Sequence, residues 1–269
     1  MITLLTDFGN ADYFVGAMKG VILSIDADAR VLDITHEIPP YDIEAGAFTL
    51  LAAYRNFPSN TIHVAIVDPG VGSERRPILV SSENYFFLGP DNGLFSYVFE
   101  RETSCRVYHL TNDAYFHHPV SPTFHGRDIF AAIAGALSKG VNPELLGSEI
   151  KDFKRLAPLA VQASDAGTID ARIIHIDNFG NCITNLTRDV FSDEMIAGGA
   201  TLQVGDCAIS SFRQFFAEAS EPSDEFFCVW GSAGFLEIAT FRASAAIMLG
   251  VERGHPVVVT CPKSSTCHP

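Results

Sequence analysis

The chain has 269 residues, of which 47% are hydrophobic and 19% charged. That composition belongs to a globular protein with a substantial core, in one large domain or two smaller ones. A formal net charge of -14 and a pI of about 4.9 exclude the basic footprint of a nucleic-acid binder and suit a cationic small ligand.

The opening MITLLTDFG starts directly as a strand, with no signal-peptide pattern, and no apolar run approaches the length of a membrane span. The cysteines at 105, 182, 207, 228, 261 and 267 form no CxxC pair, so a reduced cytoplasmic protein is expected. Cys261, Cys267 and His268 sit in a polar tail, CPKSSTCHP, without enough ligands at close spacing for a metal. The tail reads as loose chain, and no metal site is expected.

Residues 2–6 form a short apolar strand that ends in Asp7-Phe8-Gly9. Helical periodicity follows over 12–25, a strand over 31–34, a helix over 43–54 behind Pro39-Pro40, and a strand over 62–67. This alternation predicts an α/β domain whose central sheet carries helices on both faces. Ligands of such sheets sit beyond the carboxyl ends of the strands, which puts Asp7 and Asp68 on one rim. Residues 78–80 and 85–88 read as strands, 94–100 as a short helix and 129–137 as an apolar helix.

Directly after the strand at 62–67 comes Asp68-Pro69-Gly70-Val71-Gly72-Ser73-Glu74-Arg75-Arg76. An acidic residue and a guanidinium seven positions apart across a tight turn can fold back onto one small volume and hold a polar reactant. A solvated surface ion pair is the alternative reading. His125-Gly126 precedes the helix predicted at 129–137, where free N–H groups can hold an anion or a polarised oxygen.

The texture changes near residues 150–167. A linker over 156–166 then separates an N-terminal domain, 1–155, from a smaller all-β, barrel-like C-terminal domain, 167–269. Predicted strands there cover 168–176, 201–204, 226–230, 235–239 and 257–260. Two polar clusters stand out. Asp177-Asn178-Phe179-Gly180-Asn181 follows a strand and is either a plain turn or a seat for a flat ring. Gly231-Ser232-Ala233-Gly234 precedes a strand in which Glu237 is an unexpected charge that needs a partner or a ligand.

Taken in order, several motifs resemble one family: Thr6-Asp7-Phe8-Gly9 with Asp12 and Tyr13; Tyr41 to Ala47; Asp68 to Arg75; and Pro90 to Gly93. Phe124 to Asp128, Asp177 to Asn181 and Ser232 to Ala239 complete the set. The chain is similar, from Ile2 to about Val259, to S-adenosyl-L-methionine (SAM) hydroxide adenosyltransferases, relatives of the SAM-dependent fluorinase and chlorinase. The resemblance implies that hydroxide displaces methionine from C5′ of SAM to give adenosine. It implies a catalytic Asp68–Arg75–His125 set, with Arg75 rather than Arg76 at the family's spacing.

It further implies that Asp7 takes the ribose hydroxyls, with Tyr41 among the binding residues. Asp12 and Asp177 would meet the methionine ammonium, and Ser232 its carboxylate. Phe179, Asn181 and Phe212 would form the adenine pocket, with Phe215 and Phe216 as alternatives to Phe212 and with Glu237 and Thr240 close by. No cofactor is implied, since SAM is the substrate, and the assembly would be a homotrimer with sites at subunit interfaces. Three stretches depart from the pattern: Thr240-Phe241-Arg242, the long acidic segment 213–225, and the tail beyond Thr260.

The rivals are a halogenase of the same fold and an adenosine- or SAM-binding protein without turnover. In the halogenases the position of Asp68 is uncharged and a serine replaces Gly126. A carboxylate at that point would repel halide by an energy on the order of several kcal/mol in a low-dielectric site. A protein that only binds has no need of the water-holding trio.

Overall fold

The computed structural model describes residues 1–163, 168–218 and 226–262, which form two compact units, Met1–Pro158 and Leu159–Pro269. Cys267 and His268, and parts of the linker and of the acidic 213–225 segment, lie outside the described residues.

In the first unit the chain runs β1 (Ile2–Thr6), α1 (Phe14–Ile25), β2 (Val31–Thr35), α2 (Ile43–Ala53) and β3 (Thr61–Ile66). Next come β4 (Pro77–Ser81), β5 (Tyr85–Pro90), α3 (Ser96–Arg101), β6 (Arg106–Leu110), a π-helical turn at Gly126–Ala131, α4 (Ala132–Ser138) and β7 (Gly147–Ile150). The sheet order is β2-β1-β3-β5-β4-β6-β7. The strands β2, β1, β3 and β5 are parallel, as β–α alternation predicts, whereas β4 and β6 run antiparallel to their neighbours. A tight connection at 82–84 makes β4–β5 a hairpin, and a hairpin cannot be parallel.

Alternate residues of the central strands serve opposite faces. Ile2, Leu4, Ile62, Val64 and Ile66 join α1 and α4 in one buried cluster, while α2 packs against β1 and β3. The helix α2 starts where Asp42, behind the two prolines, accepts the N–H of Ala45 at 3.0 Å. Its Gly46 is needed for close approach, because a Cβ there would sit 2.9 Å from Val67. His63 is fully buried and stacked on Phe87, with its Nδ1 2.7 Å from Thr3 Oγ1. Burial pushes its pKa down to about 3, so this histidine is neutral packing.

The second unit holds β8 (Gln162–Ala163), β9 (Thr168–Ile176), β10 (Cys182–Thr187), α5 (Asp193–Ala197), β11 (Thr201–Val204), β12 (Cys207–Ile209), β13 (Phe212–Arg213), β14 (Phe226–Trp230), β15 (Phe235–Thr240), α6 (Ala245–Leu249) and β16 (Pro256–Thr260). Its order among the described residues is β12-β11-β16-β9-β10-β15-β14-β13, with β8 beside β9. The long β9 pairs with β16 through its first half and with β10 through its second. It thereby curls the sheet into a half-barrel around Ile173, Cys182, Leu202, Leu236 and Val257.

Candidate active site

Parallel pairing of β1 with β3 sets Thr6 beside Ile66, so the residues that follow, Asp7 and Asp68, share one edge of the sheet. Burial, with a smaller contribution from the charge of Asp68, raises the Asp7 pKa above its ordinary value. The N–H of Tyr41, a residue with φ 68°, donates to Asp7 Oδ2 at 2.9 Å. The edge thus gathers two carboxylates within electrostatic reach of each other.

After Asp68, two successive turns reverse the chain, with Val71 N–H donating to the Asp68 carbonyl and Ser73 N–H to that of Gly70. Gly72 has φ 78°, and a Cβ there would lie 2.2 Å from the backbone oxygen of Pro122. Only glycine lets this loop lie against the segment that carries His125. Asn92 adds a brace, donating from Nδ2 to the Val67 carbonyl at 2.8 Å.

Arg75 Nε donates to Asp68 Oδ1 at 2.9 Å and Nη2 to Asp68 Oδ2, a bidentate pair whose side chains are only 5% and 6% exposed. Nη2 also lies 2.9 Å from His125 Nδ1. A guanidinium can only donate, so Nδ1 accepts and neutral His125 carries its proton on Nε2. Burial first, and the Arg75 charge second, lower the His125 pKa from 6.5. Arg75 Nη1 is buried without a hydrogen-bond partner among the described residues.

The neighbouring Arg76 faces elsewhere, toward Asp91 and Asp152 at 2.7 and 2.8 Å. Extended chain leading into β4 alternates sides, which separates the two arginines. The helix expected from residue 129 begins earlier, as a π turn at Gly126 immediately after His125. Such turns recur at functional sites because they re-aim one side chain. Fully buried Asp128 fixes the approach by accepting from the Ser121 N–H at 2.8 Å and from Arg127. Phe124 is ringed by Phe8, Tyr13 and Phe14. Asp12 is exposed ahead of α1 and bonds to none of the trio.

In the second unit Asp177 organises its own turn. Oδ1 accepts the N–H groups of Phe179 and Asn181 at 2.9 and 2.8 Å, and Oδ2 accepts Asn181 Nδ2 at 2.8 Å. Gly180, at φ 85°, fits under Ser244, where a Cβ would meet Oγ at 2.0 Å. Phe179 is left 77% exposed. A cavity of about 840 Å³ opens beside this turn, and Asp177, Phe179, Asn181, Ser232, Glu237 and Thr240 all line it.

Phe212 does not. It stands in β13, 5.8 Å from Phe191 in the half-barrel core, because its pairing opposite Cys228 turns it inward. Phe216, one of its two alternatives, lines the cavity in its place. Trp230, Phe241 and Arg242 line it as well, and the motifs do not assign them there. Their signal is positional: Trp230 directly precedes the second polar cluster, and Phe241 and Arg242 directly follow the strand that carries Glu237. Among the described residues no group of three or more His, Cys, Asp or Glu could hold a metal, and no helix is long and apolar enough to cross a membrane.

Comparison with known proteins places these features in a family context. The models of the SAM hydroxide adenosyltransferase N-terminal and C-terminal domains match residues 2–147 and 171–258. An (R)-S-adenosyl-L-methionine hydrolase of Methanocaldococcus jannaschii is 36% identical, covering 94% of this chain and 92% of its own. An uncharacterized conserved protein of Thermotoga maritima has the same fold, with a TM-score of 0.89 and 30% identity over 97% of this chain and 100% of the other. A fluorinase of Actinopolyspora mzabensis is more distant, at 26% identity over 97% of both chains.

Proposed function

Because the chain belongs to the SAM hydroxide adenosyltransferase family, we infer that it hydrolyses SAM to adenosine and L-methionine. The observation that carries the reading is the buried, hydrogen-bonded Asp68–Arg75–His125 trio at the sheet edge. The name of the archaeal relative specifies the (R) form of SAM, and we extend that preference to this chain.

The chemistry asks little of the leaving group, because methionine departs as a neutral thioether from a sulfonium. It asks much of water, whose bulk pKa is about 15.7. His125 donates from Nε2 to orient the water. Asp68, which has lone pairs beyond those engaged by Arg75, accepts the proton as the oxygen–C5′ bond forms and the C5′–S bond breaks. The C5′–S electron pair stays on sulfur, and the proton passes from Asp68 to solvent. Arg75 remains charged throughout and holds Asp68 and His125 in register, while its Nη1 supplies one more donor to the developing hydroxide. Aiming the oxygen along the C5′–S axis supplies the orientation term. No cofactor or metal enters these steps.

For the substrate, Asp7 takes the ribose hydroxyls with Tyr41 beside it. The unit-two cavity holds the base between aromatic walls, and Asp12, Asp177 and Ser232 serve the methionine end. Cys105, Cys182, Cys207 and Cys228 are free thiols, which fits a reduced, cytoplasmic setting.

Purified protein incubated with SAM and a chelator should release adenosine and methionine in equal amounts; unchanged SAM at high enzyme concentration would overturn the reading. The rate should fall as pH drops through the lowered pKa of His125, below 6.5. There a second imidazole proton would confront the Arg75 guanidinium. The fold should weaken in the same direction, because below 6.5 the unfolded chain takes up that proton more readily. A rate that holds constant down to pH 4 would remove His125 from the site.

The assembly assigned here is a homotrimer with sites at subunit interfaces. Light scattering should therefore return three times the 29.2 kDa chain mass, and a fully active monomer would exclude it.

A further inference from the structure

The unit-two cavity contains a group that the reaction above leaves unexplained. Glu237 stands mid-strand in β15, with Ile183 and Val229 as its register partners on the two flanking strands. Its carboxyl lies across Gly231, where any Cβ would come within 1.8 Å of Oε1. Glycine at 231 therefore makes the space that Glu237 occupies. Among the described residues the carboxyl makes no hydrogen bond and no ion pair, although it lines the cavity and is partly buried. A sheltered carboxylate without a partner is costly, and a ligand donor is the simplest relief.

The rest of the cavity narrows the choice of donor. Phe179, Phe216, Trp230 and Phe241 line it with aromatic side chains, which suit a flat heteroaromatic ligand. Asn181 spends one of its two Nδ2 hydrogens on Asp177, which fixes the amide so that its Oδ1 acceptor and its second N–H are left for a ligand. Two acceptors between aromatic walls call for a ring that carries an amine.

Resting on the SAM reading, we propose that Glu237 selects the base by accepting the exocyclic amine of adenine, and so rejects purines that carry a 6-oxo group. Adenine and hypoxanthine have nearly the same shape, so aromatic walls alone could not separate them. A hydrogen-bond acceptor fixed at the 6-position can, because the wrong base sets oxygen against oxygen.

The selection carries a pH signature. Burial first, then the charge of Asp177, push the Glu237 carboxyl up to about 7. Arg242 lines the same cavity, and His175 stands in register two strands away, beyond Ile183. Ile183 and Val229 bring no charge. Above pH 7 the carboxylate accepts from the amine and repels a 6-oxo group. Below it the protonated acid can donate to that oxygen, and discrimination falls.

The test is calorimetric titration of adenosine and inosine into the intact protein at pH 6 and pH 8, repeated with Glu237→Gln. Wild type should favour adenosine by at least about tenfold at pH 8 and by clearly less at pH 6. Glutamine can both accept and donate, so Glu237→Gln should bring the two ligands within about threefold at both pH values. If Glu237→Gln weakens both nucleosides equally, or leaves the wild-type preference intact, the assignment fails. Thermal melting and the milder Glu237→Asp variant guard against a folding defect: aspartate should keep the preference for adenosine at reduced affinity. Absence of SAM turnover together with an intact, Glu237-dependent preference would sink the hydrolase reading and leave base selection standing.

Discussion

Replacing Asp68 by asparagine should lower kcat for SAM hydrolysis by about 10²–10⁴-fold, the usual yield of a positioned proton acceptor. A hundredfold loss corresponds to about 2.7 kcal/mol of transition-state stabilisation. The substitution keeps the shape of the side chain and removes only its charge and one acceptor. One position of the new amide carries an NH₂ that faces either Arg75 Nε or Nη2, both donors. The amide therefore cannot reproduce the bidentate pair, and it cannot take a proton from water. Adenosine affinity should change little, because the cavity assigned to the base is lined by residues from Asp177 to Ser244. The expected signature is thus a fallen kcat with binding preserved. Near-wild-type turnover would show that the proton goes elsewhere. Chloride supplied to the wild-type enzyme should leave adenosine as the nucleoside product; a 5′-chloro product would show that Asp68 does not bar halide.

The residues that make this trio were unequally visible in the sequence. Asp68 and Arg75 are local to one another, so a strand end followed by Pro69, Gly70 and Gly72 was enough to suggest that they meet. His125 is 50 positions from Arg75, and tertiary packing, including the close approach of Gly72 to Pro122, brings its segment in. Periodicity could not reveal that contact, because it depends on what glycine leaves out. The start of the His125 helix was also hidden. Its apolar run begins at Ile129, whereas the π turn recruits Gly126, Arg127 and Asp128, and Asp128 is tolerated inside because Arg127 and Ser121 satisfy it.

The strands tell a similar story. Residues 168–176, 201–204 and 226–230 were legible because β-branched and aromatic residues run between clear breaks. The strand β10 was not, since Thr184 and Asn185 interrupt its apolar pattern. Both are buried, with Thr184 Oγ1 donating to the Leu236 carbonyl and Asn185 Nδ2 to that of Leu159. A polar residue satisfied by tertiary bonds looks, in sequence, like a loop. The strands β6 and β7 were missed for a different reason. Only β7 is the edge; β6 lies beside it with Val107, Tyr108 and Leu110 buried, but its Arg106, paired with Glu149 of β7 and with Glu144, breaks the apolar pattern. Phe212 is turned inward by the pairing of the two-residue β13, whereas Phe216 lies in the turn beyond that strand, and the sequence does not show where the strand stops.

The other large effect is expected on stability as well as on rate. Arg75→Ala removes a side chain that is 5% exposed and leaves Asp68, 6% exposed, as a buried charge without its partner. Breaking a buried pair from one side costs roughly 3–5 kcal/mol, most of it the penalty on the charge left behind. For a unit of this size that corresponds to a fall in Tm of roughly 6–20 °C. Activity should drop at least about 10²-fold, because Asp68 and His125 lose the group that holds both. The guanidinium also packs over the Phe130 ring at 5.5 Å, so a cavity adds to the cost. The double variant Asp68→Ala with Arg75→Ala separates the two roles. Without any charge left to desolvate, it should regain much of the lost Tm while remaining as inactive as either single change. Recovery of stability without activity would assign the pair to chemistry, since its burial would then be a cost borne by the fold. A double variant no more stable than Arg75→Ala would mean that packing, not the stranded charge, set the penalty, and one with near-wild-type turnover would remove the trio from the reaction.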